Sequence, residues 1–196
     1  YFDVHAVKVV SKHNIISDNT TTALSTRFLV DAHVDGSDED CFNYAKLVEG
    51  IDLTKSLVIC IMNASAYAGT CYMFTDGSAI AYFPLGYDNQ MFSQLLNHEA
   101  VGHGFGKLLD EYEDNLGSIP YWAVDSYYSN QSLGWGVNVD VTSDPAQVKW
   151  SNFLEDSRYD SEGLGVYEGA LTYQFGAYRP SVNSIMRHNT GGFNAP

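Results

Sequence analysis

Two histidines five residues apart, with a glutamate beside the first, carry the strongest chemical signal in the chain: His98-Glu99-Ala100-Val101-Gly102-His103. A catalytic zinc takes about three protein ligands and keeps an open position for water, and a common peptidase solution places two histidines one helical turn apart with a glutamate next to the first. In that chemistry Glu99 is the general base, drawing a proton from the metal-bound water and passing it to the leaving amine. Against this stand the bland readings: histidines that are satisfied polar residues, and a glutamate that is a surface helix carboxylate.

The spacing is one residue too long for a regular helix. At about 100° per residue an i,i+4 pair lies about 40° apart around the axis, whereas an i,i+5 pair lies about 140° apart. A π-bulge absorbs one residue and returns the second histidine to the face of the first, and Gly102 supplies backbone freedom for it. The helix is therefore expected to be distorted between Glu99 and His103. Gly104 and Gly106 each cost roughly 1 kcal/mol relative to Ala in a helix, so the helix should end soon after His103 and let the chain turn back. Asp110 and Glu111 follow where a returning chain can supply a third metal ligand. Asp110 is the preferred ligand, with Glu111 and the more distant Glu168 as alternatives.

The stretch from His98 to Tyr112, His-Glu-Ala-Val-Gly-His-Gly-Phe-Gly-Lys-Leu-Leu-Asp-Glu-Tyr, resembles the signature of the IgA-peptidase-like family of metallopeptidases, which is related to the metzincins. It departs from the HExxH form by the extra residue, and a similar HExxGH spacing occurs in dipeptidyl peptidase III. Far downstream, Ser184-Ile185-Met186 resembles the Met-turn that metzincins place beneath the metal as an apolar floor. His188 stands where astacin-like enzymes carry a tyrosine that approaches the zinc, which implies a catalytic role on the oxyanion or the metal; a hydrogen-bonded loop histidine is the competing reading. Tyr178-Arg179-Pro180 also looks like the family.

The resemblance implies Zn2+ as cofactor and an α+β, metzincin-like fold: a mixed twisted sheet with an antiparallel edge strand, an active-site helix below it, and an irregular C-terminal region with the Met-turn. It also implies a protein or peptide substrate bound extended along an edge strand, which assigns Ala79–Phe83 to the cleft rim, and a secreted or cell-envelope location. Metzincins usually continue into a helix after the Met-turn, so an end at Pro196 reads as truncation.

The elements that must position these residues are only partly legible. Residues 2–10 alternate as in a strand with one wetter face, 17–22 read as a turn, and 23–30 as a second strand. The acidic segment 31–40 does not fit EF-hand spacing, so it is read as a solvated loop feeding a helix rather than a calcium loop. That helix, near 38–49, is capped by Ser37 and stopped by Gly50. The run 56–63, apolar on both parities, looks like a central strand, and 79–83, ending at Pro84, like an edge. From Asn89 an apolar stripe runs into His98. After Tyr112 the chain should be irregular with short helices up to about Gly169, and the aromatic-rich segment 121–150 should pack that lower region.

Bulk properties set the outer limits. In 196 residues, 24 Asp and Glu against 10 Lys and Arg give a net charge of −14, which argues against a nucleic-acid partner. No apolar stretch is long enough to span a membrane. The length favours one domain over 1–196, with an upper region (residues 1–112) and a lower region (residues 113–196). Of three cysteines, Cys60 reads as a buried thiol, and Cys41 and Cys71 could pair. The leading expectation is a zinc-dependent endopeptidase. The alternatives are a catalytically inactive protein- or glycan-binding module on the same fold, or a domain in which the two histidines never meet.

Overall fold

A computed structural model describes residues 2–13, 16, 17 and 20–194. They form two units, Tyr1–Phe105 and Gly106–Pro196, which together hold three small sheets and few helices.

In the first unit, residues 2–10 run without ladder partners, and Phe2, Val4 and Val10 are exposed. The alternation there predicts a strand, but among the described residues no strand pairs with it, and alternation alone does not make one. The expected turn at 17–22 includes residues outside the described set; within it Thr20 N donates to Ser17 O at 3.0 Å. The second expected strand shrinks to β1 (Arg27–Phe28), paired antiparallel with β2 (Val34–Asp35). Between them Asp31 and Ala32 both have positive φ, 56° and 60°.

The acidic loop does feed a helix, α1 (Asp38–Ala45). Ser37 Oγ accepts from Asp40 N at 3.1 Å, so the N-cap reads correctly from sequence. The helix stops four residues before Glu49, tightening into i→i+3 turns. Two carboxylates of the acidic segment are engaged by protein donors: Asp35 by Arg27, and Asp38 by the Tyr82 hydroxyl at 2.8 Å.

The main sheet of this unit corrects the ranking of strands. Its order is β3 (Leu57–Met62), β5 (Ala79–Pro84), β4 (Thr70–Met73), with β3 parallel and β4 antiparallel to β5. The 79–83 segment is the central strand, not an edge, and 57–62 is an edge, not the centre. Every residue of β5 is buried. Ile80 and Tyr82 pack with Val34, Cys41, Cys60 and Met62, while Ala81 and Phe83 pack with Leu95 and Ala100. Pro84 is misleading because a proline as the last residue of a strand leaves its ladder nearly intact. The doubly apolar pattern of β3 is misleading because Ile59 and Ile61 are 39% and 51% exposed. The antiparallel edge strand exists, but it is β4.

Cys41 and Cys60 share the first of these clusters, whereas Cys71 packs against the second. The Cys41–Cys71 disulfide that the sequence leaves open is not made. Cys60 is buried as expected; its hydrogen bond with the Cys41 thiol, together with burial, pushes its own thiol up and keeps it uncharged.

In the second unit the sheet runs β6 (Glu113–Ser118), β8 (Thr172–Arg179), β7 (Tyr167–Ala170), with β6 parallel and β7 antiparallel to β8. A twelve-residue helix, α3 (Tyr121–Ser132), and a short α4 (Ser151–Leu154) complete it. The expectation of irregular chain with short helices up to about Gly169 fits α4, but it is corrected by β6 and by the longer α3. The sequence of β6, Glu-Asp-Asn-Leu-Gly-Ser, has no apolar alternation because the strand is mostly exposed and held by backbone pairing. Tyr127, Val139, Ala170 and Ala177 form the core there. Trp150 is fully buried, its Nε1 donating to Gly165 O at 2.7 Å, while Tyr121 and Trp122 remain exposed. The aromatic segment thus packs this unit only in part.

Candidate active site

Helix α2 (Asn89–Leu95) begins at Asp88, whose side chain accepts from Met91 N at 2.8 Å, and it passes directly into a π-helix over Leu96–Phe105. The expected distortion is present, and it is larger than the spacing requires: one bulge would suffice, and ten residues adopt the wider form. With i→i+5 hydrogen bonding, residues five apart stack on one face. Two features hold this helix against the sheet. Ala100 packs among Phe83 and Leu95, and a Cβ on Gly104 would meet Leu57 Cδ1 at 2.5 Å, so the glycine permits close approach to β3. Gly104, a helix breaker by propensity, is inside the helix for a packing reason.

The consequence for the histidines is direct. His98 Nε2 and His103 Nε2 lie 3.2 Å apart, with ring centroids 4.9 Å apart and planes at 81°. Two nitrogen ligands on a tetrahedral zinc, each about 2.0–2.1 Å from the metal, stand about 3.3 Å from one another. The pair therefore has the separation of two imidazoles that share one ion. Both rings and the Glu99 side chain are buried.

Asp110 lies in the second unit, half-buried, with its carbonyl accepting from Leu171 N at 2.9 Å. His98 and His103 offer two imidazole nitrogens in the first unit, and Asp110 offers a carboxylate oxygen in the second, all of them donor types that suit a metal ion.

Glu111 has a different occupation. It is 2% exposed; one carboxylate oxygen accepts from Ser184 Oγ at 2.6 Å and the other from Asn138 Nδ2 at 2.9 Å, while its backbone N–H donates to Met186 O at 2.9 Å. Asn138 in turn binds both backbone groups of Leu109, at 3.0 and 2.8 Å. Burial pushes the Glu111 carboxyl up, and the bonds from Ser184 and Asn138 draw it back. Glu111 thus ties the segment bearing Asp110 to the buried turn at Ser184–Met186. Replacing Glu111 by Leu keeps the volume but strands two buried donors, each at about 1–3 kcal/mol, so thermal melting should show a clear fall in Tm; an unchanged Tm would show that the network carries no stability.

The remaining candidates fall elsewhere. Glu168 sits exposed on β7, its Oε1 accepting from Gly176 N at 3.0 Å across the hairpin. His188 is exposed at the end of the turn after Met186, its N–H donating to Ser184 O at 2.9 Å. Arg179 is buried, donating to the carbonyls of Glu168, Gly169 and Ser181, and so clamps the hairpin. Asn138 escapes sequence reasoning, because a lone Asn in a Gly-rich stretch carries no spacing signal.

Comparison with known proteins puts the chain among the peptidases. The family is IgA Peptidase M64, whose model matches residues 1–161, and the chain belongs to it. Its members are metallopeptidases. The matched span includes His98, Glu99, His103 and Asp110 and ends before Ser184. No curated protein matches the chain. No helix among the described residues is long and apolar enough to cross a membrane.

Proposed function

We propose that the chain is a zinc-dependent endopeptidase in which His98, His103 and Asp110 hold the metal and Glu99 is the general base. The observation that carries this reading is the 3.2 Å separation of the two imidazole nitrogens, on a helix type that aligns residues five apart. When bound there, zinc would polarise the peptide carbonyl and acidify a bound water. Glu99, buried and next to His98 in the chain, would accept the water's proton and return it to the leaving amine. On family resemblance, His188 would act on the oxyanion or on the metal. The substrate would lie extended along a free strand edge; with 79–83 at the centre of its sheet, that edge is β4, the antiparallel one. A secreted or cell-envelope location follows from the family resemblance.

The inactive protein- or glycan-binding module is disfavoured because Glu99, the residue turnover needs, is kept. Purified chain should carry about one zinc and degrade an unfolded protein, with a chelator stopping cleavage and added zinc restoring it. Cleavage that persists in the chelator, or a chain that takes up no zinc, would sink this reading.

A further inference from the structure

We infer that Gly69 is a positioning residue for Glu99, an inference that rests on reading Glu99 as the general base. The Glu99 side chain runs past Gly69, the residue that precedes β4. A Cβ built on Gly69 would lie 2.7 Å from both Cγ and Cδ of Glu99, closer than real Cβ atoms come to any neighbour. Gly69 is not among the glycines with positive φ, so any residue could adopt its backbone. Space, not conformation, requires the glycine.

Gly69 also has little freedom to retreat. Its N–H donates to Ala32 O at 3.0 Å, and its carbonyl accepts from Thr70 Oγ1 at 2.7 Å. The same Thr70 hydroxyl accepts from Val34 N at 3.1 Å, and Thr70 is fixed in the ladder opposite Tyr82. The Ala32 carbonyl is aimed by two successive non-glycine residues in the left-handed region, Asp31 and Ala32. That conformation is costly for residues with a Cβ and persists only when its surroundings determine it. Between this turn and the sheet, Gly69 makes a fixed wall along which the Glu99 carboxylate is laid. The acidic loop 31–40 thereby acquires a role through its backbone.

The test uses the zinc-loaded full chain. Gly69→Ala should lower kcat on the order of 100-fold, the usual consequence of misplacing a reacting group by about 1 Å, with KM and zinc content unchanged. Gly117→Ala, at a site with no atom within 4 Å of the added carbon, should behave as wild type. In a Glu99→Asp background, where the carboxylate is shorter, Gly69→Ala should cost much less, because contacting residues are not additive. If Gly69→Ala fails to fold, pairing it with Glu99→Ala should restore folding. The inference is overturned if Gly69→Ala keeps wild-type kcat while Glu99→Gln is inactive, if its cost is the same in the Glu99→Asp background, or if the pair with Glu99→Ala stays unfolded. A fully active Glu99→Gln would instead overturn the reading of Glu99 as base.

Discussion

Glu99→Gln is expected to lower turnover by about 10²- to 10⁴-fold, the usual contribution of a positioned general base, while zinc content stays as in wild type. Glutamine has nearly the shape of glutamate, so the contact with Gly69 and the burial of the site are kept. What it loses is the ability to take up the water's proton. The two imidazoles are untouched, and their 3.2 Å separation comes from the helix rather than from Glu99. Single-turnover kinetics with metal analysis of the same sample separates the two effects. Cleavage at the wild-type rate would remove Glu99 from the mechanism.

His103→Ala should weaken zinc binding by more than about 100-fold, since loss of an outer-shell partner alone costs 10–100-fold and a direct ligand contributes more. Alanine is the best helix former, so the substitution removes the nitrogen without disturbing the turns that carry it. Titration against a chromophoric chelator reads the affinity, and circular dichroism checks that the helix remains. An unchanged affinity would mean that the 3.2 Å pair is a hydrogen-bonded contact between rings and not a metal site.

The chemistry of the helix is legible in the sequence because residue counting and helix geometry are both sharp enough to conflict. Two histidines five residues apart cannot share a face at about 100° per residue, so a metal shared between them demands a distorted helix. The extent of the distortion is not legible. Sequence shows that one residue is surplus but not over how many turns the surplus is spread, and packing on β5 and the close approach of Gly104 to Leu57 are tertiary facts.

The same division holds for the strands. An apolar pattern reports how many faces could be buried, and β3 and β5 differ in which faces actually are. At β6 there is almost no apolar signal, because backbone pairing with β8 and polar contacts of Glu113 and Asn115 sustain the strand. Glu111 illustrates the limit for the site. Beside Asp110 it looks like an alternative ligand, and only its partners Asn138 and Ser184, 27 and 73 residues later, show that both oxygens are already engaged.

The ten-residue π-helix makes the alignment of His98 and His103 a property of pitch, not of either histidine. A one-codon deletion between them would leave both imidazoles and the glutamate in place, yet the shortened pair would match only a helix rewound to ordinary α pitch, where residues four apart share a face. A one-codon insertion has no regular helix to fall back on. For this stretch of chain the number of residues and the winding of the helix are one constraint: a change in either must be matched by the other if the two imidazoles are to keep a common face.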